Sequence, residues 1–248
     1  MTDEKPKVVV VMPAYNAAAT LQHTVELIPR DVVDDVIVVD DFSSDATIEI
    51  ARKLDVTVIW HPHNVGYGGN QRTSYLEALQ RGADVVVMLH PDGQYEPELI
   101  PRMIEPILAG DADCVLGSRF AEPGAARASG MPRYKRIANR GLTAAENWVL
   151  KRRFSELHTG YRAYSRDLLM TVPFLRNSAG FVFDSELIMQ AVYFGFRIAE
   201  VPARTTYSGE VSSIGFGPSV VYGIRTLGVA GRLLLHRNHI VPCRRFQR

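Results

Sequence analysis

Five short apolar runs in the first 120 residues constrain this chain more than any other feature. They lie at 7–12, 36–39, 56–60, 84–89 and 113–116, and each is apolar on successive positions rather than alternate ones. Strands buried on both faces read this way, whereas strands with one wet face alternate. Segments of helical character separate the runs. Leu21, Val25 and Ile28 fall on one helical face after Asn16, a predicted cap. Ile48, Ala51 and Leu54 follow a predicted cap at Ser44, with Asp45 in the first turn. Residues 70–81 predict a third helix ended by Gly82, and 97–109 a fourth bounded by Pro97 and Gly110. Apolar strands alternating with helices give an α/β fold with a mostly parallel central sheet covered on both faces.

In such a sheet ligands bind beyond the carboxyl ends of the strands. The residues at those ends are therefore the candidates. They are Pro13-Ala14-Tyr15-Asn16, Asp40-Asp41, the segment 61–69, His90 to Tyr95, and Gly117-Ser118-Arg119. The stretch "MLHPDGQY" (88–95) is the most unusual, since an apolar run delivers Asp92 and Gln94 to a loop. Two oxygen-bearing side chains at i and i+2 can converge on Mg²⁺ or Mn²⁺, with phosphate and water filling the remaining positions. Pro-Asp-Gly is equally a common turn. Asp40 and Asp41 precede a helix start, which itself favours acceptors. Gly66, Gly68 and Gly69 ahead of a helix could meet a phosphate or base, but the glycines follow the third run and lack the lysine of a P-loop. No dinucleotide-type glycines follow the first run, which argues against a dehydrogenase.

The second half predicts helices at 137–150 and 184–194 and a strand at 197–201. A Gly/Ser-rich loop at 208–217 and an apolar stretch at 220–235 follow, with a basic end. Arg119, Arg133 and Arg204 are candidate phosphate ligands, each also explicable as a solvated or ion-paired arginine. Asp184 and Glu186 stand two apart near a helix start. His158 reads first as a hydrogen-bonded structural residue. The net charge of +1 provides no broad field for nucleic acid. Two cysteines make no disulfide framework; Cys114, inside an apolar run, reads as a buried small residue in a reduced, cytoplasmic setting. The polar first residues are not a signal peptide, and no apolar run approaches the roughly 20 residues of a membrane span.

Taken together, the segments "VVVVMPAYNAAATL", "VIVVDDFSSDAT", "HNVGYGGNQ", "MLHPDGQY", "VLGSRF", "HTGYRAYSR" and "FVFDSEL" resemble family 2 glycosyltransferases of the GT-A fold, in the subgroup of dolichyl-phosphate mannose and glucose synthases. The resemblance runs from Val8 to about Phe216. It implies a catalytic domain over 1–210, with a nucleotide-binding half at 1–120 and an acceptor-binding half at 121–210, and a C-terminal loop and amphipathic basic tail over 211–248. It implies inverting transfer of a hexose from a UDP- or GDP-sugar to a polyprenyl phosphate. Pro13, Ala14, Tyr15, Asp40, Asp41, Gly66, Gly69 and Asp92 would hold the donor, and Asp92 and Gln94 a Mg²⁺ or Mn²⁺ ion. The implied catalytic residues are Asp184, Glu186 and Arg119, with Asp184 preferred as base for a hydroxyl acceptor. Arg133 and Arg204 would meet the acceptor phosphate.

Three positions depart from the family pattern. His90 stands where an aspartate is usual, Ala17 where a glutamate is common, and "GEVSSIGF" lacks the lysine of a Gly-x-Ser-Lys stretch. Alternatives of other kinds therefore stand beside the first: transfer to a soluble hydroxyl, a sugar nucleotidyltransferase, and a non-catalytic nucleotide-sugar binder. The basic tail with Leu233-Leu234-Leu235 could rest peripherally on the inner face of an anionic membrane, pack on the domain, or form a homodimer.

Overall fold

A computed structural model describes residues 5–205 and 216–247. The strands are β1 (Val8–Ala14), β2 (Asp35–Asp40), β3 (Thr57–Trp60), β4 (Val85–Met88), β5 (Cys114–Ser118), β6 (Arg162–Ser165) and β7 (Ile198–Pro202). The helices are α1 (Leu21–Glu26), α2 (Thr47–Ala51), α3 (Tyr67–Gln80), α4 (Ile100–Leu108), α5 (Ala125–Ala128), α6 (Arg133–Leu150), α7 (Arg166–Thr171), α8 (Phe183–Tyr193) and α9 (Phe216–Arg237). The strands form one sheet in the order β3-β2-β1-β4-β6-β5-β7. It is parallel except for β6, which runs antiparallel to both neighbours.

The continuous apolar runs have the expected cause. Val9 and Val11 of β1, with Val86 and Met88 of β4, enter one core beneath α3, α6, α8 and α9. Val8, Val10 and Met12, with Val85, Val87 and Leu89, enter a second core beneath α1, α2 and α4. Period-two geometry sends neighbouring residues to opposite faces, and both faces are covered. Cys114 is fully buried, and burial pushes its thiol up to about 12, so it is packing rather than chemistry.

The strand β6 and helix α7 have no counterpart among the sequence expectations. "RAYS" is too polar to read as a buried strand, yet Arg162 is fully buried. Its guanidinium donates to the carbonyls of Thr159 (2.8 Å), Asp184 (3.0 Å) and Leu157 (3.2 Å), which satisfies the charge that the pattern would exclude. The reversal at β6 has a consequence for the site. It brings the residues that precede β6, His158 to Tyr161, to the same sheet edge as the carboxyl ends of β1, β4 and β5.

Two predicted caps differ. α1 begins at Leu21, and Asn16, at φ +50°, instead accepts the Ser44 N–H through its amide oxygen at 2.9 Å. α2 begins at Thr47, whose N–H is taken by Asp45 at 3.0 Å, so Asp45 and not Ser44 holds that turn. α3 begins at Tyr67, three residues earlier than periodicity indicates, because the glycines dilute the apolar signal. The C-terminal helix α9 packs on α6 and α8 and sends Val229, Ala230 and Leu233 into the core. Most of the predicted Gly/Ser-rich loop lies outside the described residues. Among these residues no helix is long and apolar enough to cross a membrane.

Candidate active site

A cleft of about 1090 Å³ opens along the carboxyl edge of the sheet. One end is formed by Pro13, Ala14 and Tyr15 after β1, facing Gly66 and Tyr67. Asp41, buried at the end of β2, builds this end. Its Oδ1 accepts the Val65 N–H (2.8 Å) and lies 2.9 Å from His61 Nδ1; its Oδ2 accepts the Gly66 N–H (3.0 Å). Asp41 thus lines the cleft while both its oxygens hold the 64–66 loop. Asp40 is buried and does not line the cleft. Its Oδ2 accepts from Ser43 N at 2.9 Å, and its Oδ1 has no hydrogen-bond partner among the described residues.

The Gly-rich motif serves close packing before anything else. A Cβ on Gly66 would sit 2.8 Å from the Ala179 carbonyl oxygen, at a backbone φ of +83°. A Cβ on Gly68 would sit 2.4 Å from the Ser178 carbonyl oxygen and 2.7 Å from Phe183 Cβ. The Gly68 N–H donates to Ala179 O at 2.7 Å, tying α3 to the loop before α8. Gly69 does not line the cleft; it makes room for Val65. Gly68→Ala gains about 1 kcal/mol of helix propensity. The clash costs about 3, so we expect a net destabilisation of about 2 kcal/mol, read as a lower urea midpoint.

The middle of the cleft carries His90, Asp92 and Gln94. Asp92 is half-buried, and its Oδ1 accepts the Gln94 N–H at 3.0 Å, closing a turn through Gly93 at φ +69°. Thr20 Oγ1 donates to Pro91 O at 2.5 Å and anchors the turn to the segment that leads into α1. The turn reading and the ligand reading of this stretch are thus compatible. The donor set, one carboxylate, one amide and an imidazole beside them, is suited to a divalent cation that takes phosphate oxygens at its remaining positions.

The carboxylates predicted as bases lie elsewhere. Asp184 sits one layer below the cleft. It accepts from Tyr67 Oη (2.8 Å) and Gln71 Nε2 (3.1 Å), and Arg162 Nη1 lies 3.7 Å away. Burial, then the neighbouring Asp184, raises the Tyr67 hydroxyl well above its usual range. Glu186 is buried away from the cleft, accepting from Ser178 N (2.6 Å) and paired with Arg245 (2.9 Å). These carboxylates satisfy buried donors, a role invisible in a spacing of two along a helix.

The other end of the cleft is cationic and apolar. Arg119 follows β5, lines the cleft and pairs with the fully buried Glu156. Arg133 and Arg204 are exposed and do not line the cleft. Lys135, missed as a candidate, does line it. Partial burial, then Arg119, pulls its ammonium below the usual lysine range. Lys135, Ala138, Asn139 and Leu142 share one face of α6 at helical spacing, the signal that could have singled it out. His158 joins the wall at 2.8 Å from Tyr222 Oη. Its Nε2 also lies 2.9 Å from Glu146 Oε2, outside hydrogen-bond alignment. Val220, Ile224 and Leu227 of α9 complete the wall and remain 45%, 66% and 47% exposed.

Residues 9–172 match the family described as Glycosyl transferase family 2. The UDP-N-acetylglucosamine--dolichyl-phosphate N-acetylglucosaminyltransferase of Methanococcus voltae is 28% identical over 232 residues, covering 87% of this chain and 91% of that protein. The undecaprenyl-phosphate mannosyltransferase of Micrococcus luteus is 32% identical over 204 residues, covering 79% of this chain and 82% of that protein. Among solved structures, glucosyl-3-phosphoglycerate synthase of Mycobacterium tuberculosis, in complex with Mn²⁺, uridine diphosphate and phosphoglyceric acid, is similar with a TM-score of 0.69. It is 19% identical and the match covers 92% of this chain and 78% of that one, a likeness of fold.

Proposed function

The chain belongs to glycosyl transferase family 2, and from that premise we propose that it is an inverting, metal-dependent GT-A enzyme moving a hexose from a nucleotide-sugar to a polyprenyl phosphate. The polyprenyl-phosphate transferases among its relatives support the acceptor class. The carrying observation is the pairing of Lys135 and Arg119 in a cleft whose adjoining wall is apolar and exposed. Cations there suit a phosphate, and the α9 wall suits the isoprenoid chain and the membrane surface that presents it. The lysine absent from "GEVSSIGF" thereby has a replacement on α6.

The carboxylates favour the same acceptor. Among the described residues the cleft lining contains only Asp41 and Asp92 as carboxylates, and Asp41 is engaged with the 64–66 loop. A hydroxyl nucleophile needs a base within reach, whereas a phosphate oxygen is already anionic. Pro13, Ala14, Tyr15 and Gly66 would hold the nucleoside. Asp92 and Gln94 would hold a divalent cation, which when bound neutralises the departing diphosphate as a Lewis acid. Arg119 and Lys135 would orient the acceptor oxygen for attack on the anomeric carbon.

The test offers purified protein UDP- and GDP-hexoses with Mn²⁺ or Mg²⁺ and three acceptors: polyprenyl phosphate, the matching polyprenol, and a soluble sugar. Product should form with the phosphate alone. Lys135→Ala should raise the acceptor KM about 10-fold with the donor KM unchanged. Turnover on the free polyprenol at a comparable rate would overturn the assignment.

A further inference from the structure

We propose that His90 is itself a ligand for the divalent cation, through Nδ1, and that Tyr67 and Asp184 select the tautomer that makes it one. The inference rests on the metal-dependent reading above and concerns a position where this chain departs from its family.

Proton counting along the chain Asp184–Tyr67–His90 leads to it. Asp184 meets donors only: the Gln71 amide at 3.1 Å, the Arg162 guanidinium at 3.7 Å and the Tyr67 hydroxyl at 2.8 Å. The Tyr67 hydroxyl donates to Asp184 Oδ2, which uses its single hydrogen. Tyr67 Oη also lies 3.1 Å from His90 Nε2, where it can then only accept. Nε2 is then the nitrogen that donates, which leaves Nδ1 as the nitrogen available to a cation. Nδ1 has no hydrogen-bond partner among the described residues, and the ring lines the cleft with Asp92 and Gln94. Neutral imidazole with its far nitrogen held by a hydrogen bond is the usual form of a metal-ligating histidine.

The ring is also fixed in place. Tyr67 stacks on it with centroids 5.5 Å apart and planes 27° apart. Beside the ring stands Gly160, where a Cβ would come within 2.8 Å of His90 Cδ2 and 3.1 Å of Nε2. A histidine that only filled space would not require both a directed hydroxyl and a bare glycine. Replacing an aspartate by an imidazole also changes the metal preference. Nitrogen ligands favour Co²⁺ and Zn²⁺ over Mg²⁺.

The experiment uses the full chain with Mn²⁺ and uridine diphosphate, observed by pulsed electron paramagnetic resonance. The parent should show ¹⁴N coupling from a directly bound imidazole, and His90→Gln should lose it. Tyr67→Phe, which leaves the ring but frees its tautomer, should weaken Mn²⁺ binding about 10-fold. His90→Asp should shift preference toward Mg²⁺ by a similar factor relative to Co²⁺. Mn²⁺ binding that is lost in Asp92→Ala, with no ¹⁴N coupling in the parent, would overturn the role of His90 and leave the metal-dependent reading standing. No Mn²⁺ binding by the parent with the nucleotide present would overturn both. Circular dichroism of each variant confirms that it is folded.

Discussion

Asp92→Ala is expected to lower kcat/KM about 1000-fold or more, roughly 4 kcal/mol in transition-state stabilisation, while the protein stays folded. The expectation follows from what stands at the end of β4. In the cleft lining Asp92 is the carboxylate not engaged with the 64–66 loop, and a cation at a departing diphosphate needs at least one anionic protein ligand. The structural loss is small by comparison. Asp92 closes its turn with one hydrogen bond to the Gln94 N–H at 3.0 Å. Losing it costs about 1 kcal/mol, or a fall of about 3 °C in Tm for a chain of this size. Asp92→Asn separates the two roles. The amide oxygen can still accept from Gln94 and should restore Tm, but a neutral ligand should leave activity close to that of the alanine variant. Transfer assays beside thermal unfolding read both. Near-parental activity in either variant would remove the cation from this turn.

The same stretch shows how far the sequence could be read. The apolar run 84–89 followed by His-Pro-Asp-Gly-Gln places the loop at a strand end, and the loop lines the cleft as expected. Six parallel strands and most helices were legible, the first five strands because burial on both sheet faces leaves an unbroken apolar signature, and β7 from the run at 197–201. β6 was not, because its central requirement is a buried arginine, and composition treats arginine as surface. Of the residues expected on the donor side, Pro13, Ala14, Tyr15 and Gly66 line the cleft, whereas Gly69 and Asp40 do not. The cationic end was harder to read. Arg133 and Lys135 differ by two positions, and only the phase of α6, set by where that helix begins, decides which of them faces the cleft. Asp184 and Glu186 are acidic and near a helix start, yet their partners Tyr67, Gln71, Ser178 and Arg245 are distant in sequence. No local pattern reports that those carboxylates are already engaged.

Glu156→Ala should be the most destabilising single change near the site, costing about 4 kcal/mol and about 10 °C of Tm. Glu156 is fully buried. It accepts from the Arg119 backbone N–H (2.8 Å), Arg119 Nε (2.9 Å) and Asn139 Nδ2 (2.8 Å), and it pairs with the Arg119 guanidinium. Alanine leaves a buried cation without its carboxylate and a buried backbone donor without its acceptor, on top of a cavity. The functional effect should run in parallel. Arg119 keeps the His158 carbonyl at 2.8 Å but loses the group that fixes its side chain, so acceptor KM should rise. A double variant, Arg119→Met with Glu156→Leu, distinguishes structure from function. Removing both charges at once avoids the unpaired ion and should recover most of the lost stability. Activity should not recover, since the cation that would meet the acceptor phosphate is gone. A Glu156→Ala protein that melts within about 2 °C of the parent would show that this pair does not carry the fold. A double variant with full activity would show that Arg119 does not carry the acceptor.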